Sequence, residues 1–108
     1  MTERLSERQI AVRLADLYER EFGGKGRGRF RIAMKHMKRL TQRRRVPAET
    51  LRKIGEELFE LGFVLIDLET FFVVLPQRSF RNYRRVSDSR VAEVLSEAAV
   101  TGASLEMA

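Results

Sequence analysis

The chain has 108 residues and a formal charge of +6, from 21 Lys and Arg against 15 Asp and Glu. With no cysteine and a single histidine, His36, it can form neither a disulfide nor a thiolate or all-imidazole metal site. Its longest apolar run, residues 71–76, falls far short of the roughly 20 residues that a membrane span needs, and the start MTERLSERQ lacks the apolar core of a secretory signal.

These bounds describe a soluble, cytoplasmic chain, with one domain over residues 1–100 and a disordered tail over 101–108. A chain of this size buries about 65% of its unfolded surface, and a hydrophobic content of 44% supplies one core.

Ser6 and Gln9 have the spacing of a capping box, flanked by Leu5 and Ile10 as a hydrophobic staple. Ile10, Leu14, Leu17 and Tyr18 then recur at helical spacing, so a helix is expected over 6–22, stopped by Gly23-Gly24. Residues 23–28 read as a flexible, basic glycine loop. Arg29-Phe30-Arg31-Ile32 alternates charge with bulk, as a very short strand does. Ala33, Met37 and Leu40 begin a second helix that ends near Arg43, because the residue before Pro47 avoids helical geometry.

A third helix follows over 47–61, with Pro47 in its first turn, Leu51, Ile54, Leu58 and Leu61 on its buried stripe, and Gly62 as its stop. Phe63–Asp67 and Phe71–Leu75 are β-rich and form a hairpin ended by Pro76. The segment 78–86 is basic and extended. Ser87 or Asp88 caps a last helix over roughly 88–99, with Val91, Val94, Leu95 and Ala98 on one stripe. The fold class is therefore mostly α with a small β-hairpin, an α+β arrangement.

Charge is distributed unevenly along this order. Residues 1–22 carry −1, 23–45 carry +10, 46–75 carry −4, 76–86 carry +4 and 87–108 carry −3. Like charges crowded into 23–45 repel one another in the folded state, so their retention points to a polyanion. Each neutralised phosphate releases condensed counterions and adds affinity without fine geometry. The alternative is a solvated, solubilising face.

Helix, short strand, helix, tight connector, helix and two-stranded hairpin is an order that resembles the winged-helix variant of the helix-turn-helix superfamily over residues 6–76. The resemblance implies a three-helix core, a hairpin wing, and duplex-DNA binding, commonly by a transcription regulator whose third helix enters the major groove. The chain departs from that pattern. Helix 47–61 turns Glu49, Glu56, Glu57 and Glu60 outward beside Thr50, Arg52 and Lys53, and the wing turn carries Asp67 and Glu69. The expected contacts to phosphate are therefore Lys25, Arg27, Arg29, Lys35, Lys38, Arg39, Arg43, Arg44 and Arg45. Arg52 and Lys53 are the candidates for base edges, and Arg81, Arg84 and Arg85 for a flanking grip, with Phe80 and Tyr83 either stacking on bases or packing on the hairpin.

The rival expectation is a non-enzymatic interaction or inhibitor protein that binds an acidic partner or a nucleic-acid-processing machine; an RNA-binding module is a third. GGKGRG is comparable to the GxxG loop of KH domains, but the flanking strands of that fold are missing. His36 is a surface residue or a weak phosphate contact. No catalytic residue, metal ligand set or cofactor is assigned, and no membrane partner. Helix 88–99 is the expected homodimer contact. A DNA-binding role would place the protein at the nucleoid.

Overall fold

The computed structural model describes residues 4–106. Its first helix, α1 (Glu7–Tyr18), begins at the expected capping box. Ser6 Oγ accepts from the Gln9 amide at 3.1 Å, and Gln9 Oε1 accepts from the Ser6 amide at 2.8 Å. Ile10, Ala11 and Leu14 are the face it buries. The helix stops at Tyr18, short of residue 22, because the amides of Glu19 and Arg20 turn to carbonyls three residues back.

The glycine loop is a pinned turn and not the flexible segment that its composition implies. Gly23 and Gly24 both have positive φ, 63° and 73°, as a type I′ turn requires of its central pair. Phe22 and Lys25 exchange backbone hydrogen bonds of 3.2 and 3.1 Å across it. Gly28 then donates to the Tyr18 carbonyl at 2.9 Å, fastening the loop to the end of α1.

β1 (Phe30–Ala33) runs without a linker into α2 (Met34–Thr41), and α3 (Ala48–Glu60) follows. Pro47 sits at the N-cap of α3, one position ahead of the first turn. β2 (Phe63–Asp67) and β3 (Phe71–Pro76) form the hairpin, and β1 adds to its far edge, giving an antiparallel sheet in the order β1-β3-β2. The register pairs Phe30 with Val74 and Phe63 with Pro76. At the hairpin tip Asp67 Oδ1 accepts from the Glu69 amide at 2.8 Å, and the Thr70 carbonyl accepts from Met34 at 2.9 Å, so the tip anchors the start of α2.

The core lies between α1, α3 and the inner face of the sheet. Ile10, Leu14, Met37, Ile54, Leu58, Phe72 and Val74 are fully buried there. Each such side chain contributes about 1.5–3 kcal/mol of transfer free energy. Phe63 packs against this core and meets Tyr18 edge-on at 5.1 Å. The fold is thus α+β, with helices packed around a small sheet and one further helix.

After a 3₁₀ turn (Gln77–Phe80), that further helix, α4 (Asp88–Glu106), stands clear of the core: every side chain over 88–99 is exposed. Its backbone continues well past residue 99, so 101–106, expected to be disordered, are helical; residues 107 and 108 lie outside the described ones. Among the described residues no helix is long and apolar enough to cross a membrane.

Candidate nucleic-acid interface

The basic residues that are continuous in sequence reach two separate places, one at each end of α1. Tyr18 organises the first. Its carbonyl accepts from Gly28, and its hydroxyl accepts from Arg78 Nη2 at 3.1 Å. The glycine turn, with Lys25, Arg27 and Arg29, is thereby brought to the same end of the sheet as the segment leaving β3, with Arg81, Arg84 and Arg85. Both are open: Phe22, Lys25, Arg27 and Arg29 line a hollow of about 650 Å³, and Tyr83, Arg84, Arg85 and Arg90 one of about 760 Å³.

Arg43 organises the second place. It donates through Nη2 to the Leu5 carbonyl at 3.0 Å and to Glu7 at 3.4 Å, and through Nη1 to Thr50 Oγ1 at 3.3 Å. Its side chain is only 12% exposed, and its Nε is buried without a partner. This residue, expected on phosphate, is instead a strut tying the start of α1 to the 42–47 connector and to α3. Its neighbours Arg44 and Arg45 are exposed. With a rise of 1.5 Å per residue, the Leu5 and Tyr18 ends of α1 are about 20 Å apart.

α2 presents the remaining cations. Met37 and Thr41 are buried, which turns Lys35, Lys38 and Arg39 to solvent. The strands position Arg31 differently, over the Phe71 ring at 5.7 Å from its centroid.

Three of the expected contact residues are engaged by the protein's own carboxylates. Arg43 holds Glu7, Arg27 holds Glu19 at 2.8 Å, and Arg52 is clasped by Glu49 at 2.6 Å and by Glu56. The hydrogen bond from Arg52, with its charge, holds the Glu49 carboxyl below the usual carboxylate range and raises Arg52 in turn. Arg52 is therefore poorly placed for base edges. The other eleven (Lys25, Arg29, Lys35, Lys38, Arg39, Arg44, Arg45, Lys53, Arg81, Arg84 and Arg85) are exposed, with no carboxylate within ion-pair distance among the described residues, although the charge of Lys53 also acts on Glu49.

Phe80 and Tyr83 pack against each other edge-on at 5.1 Å, leaving Phe80 half-buried and Tyr83 open to solvent. Arg13, on α1, belongs to no motif of the sequence. It is exposed and borders a hollow with His36 and Arg39 of α2. Among the described residues no group of three or more His, Asp or Glu is arranged to hold a metal ion. No protein-family profile, no curated protein and no solved structure matches the chain.

Proposed function

We propose that the chain is a winged-helix-type protein that grips the phosphates of duplex DNA, as a regulator or accessory factor, from both ends of α1 and along α2. The observation that carries this reading is the exposed set of eleven cations with no carboxylate within ion-pair distance among the described residues. Element order and the β1-β3-β2 sheet support the winged-helix part. The acidic outer ridge of α3 argues against groove insertion by that helix, so binding is expected to rest on the backbone and to discriminate weakly between sequences.

The direct test is gel retardation of duplex DNA, single-stranded DNA and RNA by the wild type and by Arg44→Glu/Arg45→Glu. Duplex retention that is lost on charge reversal supports the proposal; equal retention by both proteins refutes it, and preference for RNA moves the assignment to an RNA-binding module. Arg43 stays unaltered in this test because it braces the fold.

The second reading, an interaction protein, is favoured by one observation: Phe59, 59% exposed, lies on the α3 ridge with Glu56 and Glu60. Loss of function on Phe59→Ser without any nucleic-acid binding would select it. In either case we assign α4 to contact with a second copy. Its Val94 and Leu95 are 63% and 64% exposed, with Val91 and Ala98 at helical spacing beside them, a stripe that another copy of the same helix would cover. Light scattering is expected to give a dimer mass, and a monomer mass for Val94→Glu/Leu95→Glu.

A further inference from the structure

α1 and α2 approach over a hollow of about 360 Å³ whose polar lining is Arg13 from α1 and His36, Arg39 and Gln42 from α2 and its cap, with Ile32 and Leu40 as apolar wall. No carboxylate lines it, and Asp16, one turn along α1 from Arg13, is occupied by Arg20 at 2.7 Å. Neither Arg13 nor Arg39 has a hydrogen-bond or ion-pair partner among the described residues. Two guanidinium groups, an imidazole and a carboxamide, all able to donate, therefore line one space that no carboxylate of the described residues shares.

The second observation is backbone geometry. Gln42 caps α2 in the left-handed region, at φ 59° and ψ 36°, with its amide donating to Arg39 and the Arg43 amide closing the turn onto Lys38 at 3.0 Å. Glycine is the unstrained residue for that position, and asparagine the usual substitute. A long carboxamide stands there instead, and its side chain lines the hollow. Strain at a position whose side chain lines a cluster of donors points to use of that side chain.

We infer that Arg13, His36, Arg39 and Gln42 form a seat for a single backbone phosphate, fixing where the polynucleotide sits on the protein; this rests on the nucleic-acid reading above. Guanidinium forks match phosphate oxygens in pairs, which a scattered set of lysines does not. The hollow lies at the small end of ligand clefts, suited to a phosphodiester group and not to a stacked base pair.

Gln42→Gly separates the seat from a purely structural cap. Relief of the left-handed strain should raise Tm by about 3–6 °C, while duplex affinity falls about three- to tenfold. Arg13→Gln should leave Tm unchanged, weaken binding about fivefold near 0.15 M salt, and lower the salt slope by about one. His36, the chain's single histidine, gives unambiguous ring resonances. These should shift on titration with a short duplex in the wild type and much less in either variant. If Gln42→Gly and Arg13→Gln bind duplex as tightly as wild type, the seat is wrong and the nucleic-acid reading stands. If wild type binds no nucleic acid, that reading falls, and inorganic phosphate alone decides the seat. A saturable His36 shift in wild type that is absent in Arg13→Gln supports it, and unmoved His36 resonances overturn it.

Discussion

α2 and α3 are neighbours in the chain, each with one buried stripe and one solvent face, yet they hold their cations in opposite ways. On α2, Lys35, Lys38 and Arg39 stand in solvent with no acid on the helix to meet them. On α3, Arg52 lies one turn from Glu49 and one turn from Glu56, and both carboxylates close on it. Acid and base three or four positions apart on a helix are adjacent in space, so the charge of Arg52 is met within the helix, while Lys53 stays exposed beside it. A charge available to a partner is therefore set by the neighbours at helical spacing and not by the count of arginines. In the winged-helix resemblance α3 is the helix expected in the groove, while the free charge lies on α2.

The contrast breaks most visibly on charge reversal. Lys38→Glu/Arg39→Glu on α2 should lower duplex affinity on the order of 100-fold, since each phosphate contact is worth about fivefold near 0.15 M salt and reversal adds repulsion. Arg52→Glu on α3 should change it much less. Fluorescence-anisotropy titration of the two proteins compares them directly, and equal losses would erase the distinction between the helices.

The next largest effect separates adjacent arginines. Arg43→Met leaves the Leu5 carbonyl, Glu7 and Thr50 without their shared donor, and should cost about 2 kcal/mol in urea denaturation. Arg44→Met should leave the urea midpoint unchanged and weaken binding about fivefold. A stable, weakly binding Arg43→Met protein would reverse these roles.

The smallest expected effect lies on α3. Glu49→Gln/Glu56→Gln removes the clasp on Arg52 and should tighten duplex binding severalfold. In the wild type the Glu49 carboxyl titrates below the free-glutamate range because Arg52 donates to it. The sign follows: a depressed native pKa favours the folded state above the unfolded value, and that contribution disappears as pH falls through the native one. A carbon-detected NMR titration should show the displacement, and should show it abolished in Arg52→Gln.

What could be read from the sequence was local. Ser6 and Gln9 are three residues apart and cap α1 as expected, and the Leu51, Ile54 and Leu58 stripe and the Gly62 stop belong to one helix and its edge. The errors also have local causes. The glycines of residues 23–28 suggest slack, although two adjacent ones, Gly23-Gly24, are what a tight hairpin turn demands. Nearness to the C-terminus suggested disorder over 101–108, yet α4 runs on to Glu106.

Arg43 differs from Arg44 and Arg45 through Thr50, seven positions on, and through Leu5 and Glu7, well over thirty positions earlier, so the triplet shows no sign of its division. Arg13 and Gln42 met no motif because their juxtaposition depends on how α1 and α2 are held against the sheet. The split of the basic run is equally hidden, since it follows from Tyr18 and Leu5 lying at opposite ends of α1.

Salt dependence is the sharpest single measure of whether the open cations meet phosphates. Anisotropy of a labelled duplex, titrated with the full chain at 50 and 200 mM salt, should show affinity falling about 10³–10⁵-fold, as expected when six to ten phosphates are engaged. A change of less than about tenfold between the two conditions would mean that hardly any phosphates are neutralised, and that the cations of α2 and of the two ends of α1 serve another purpose.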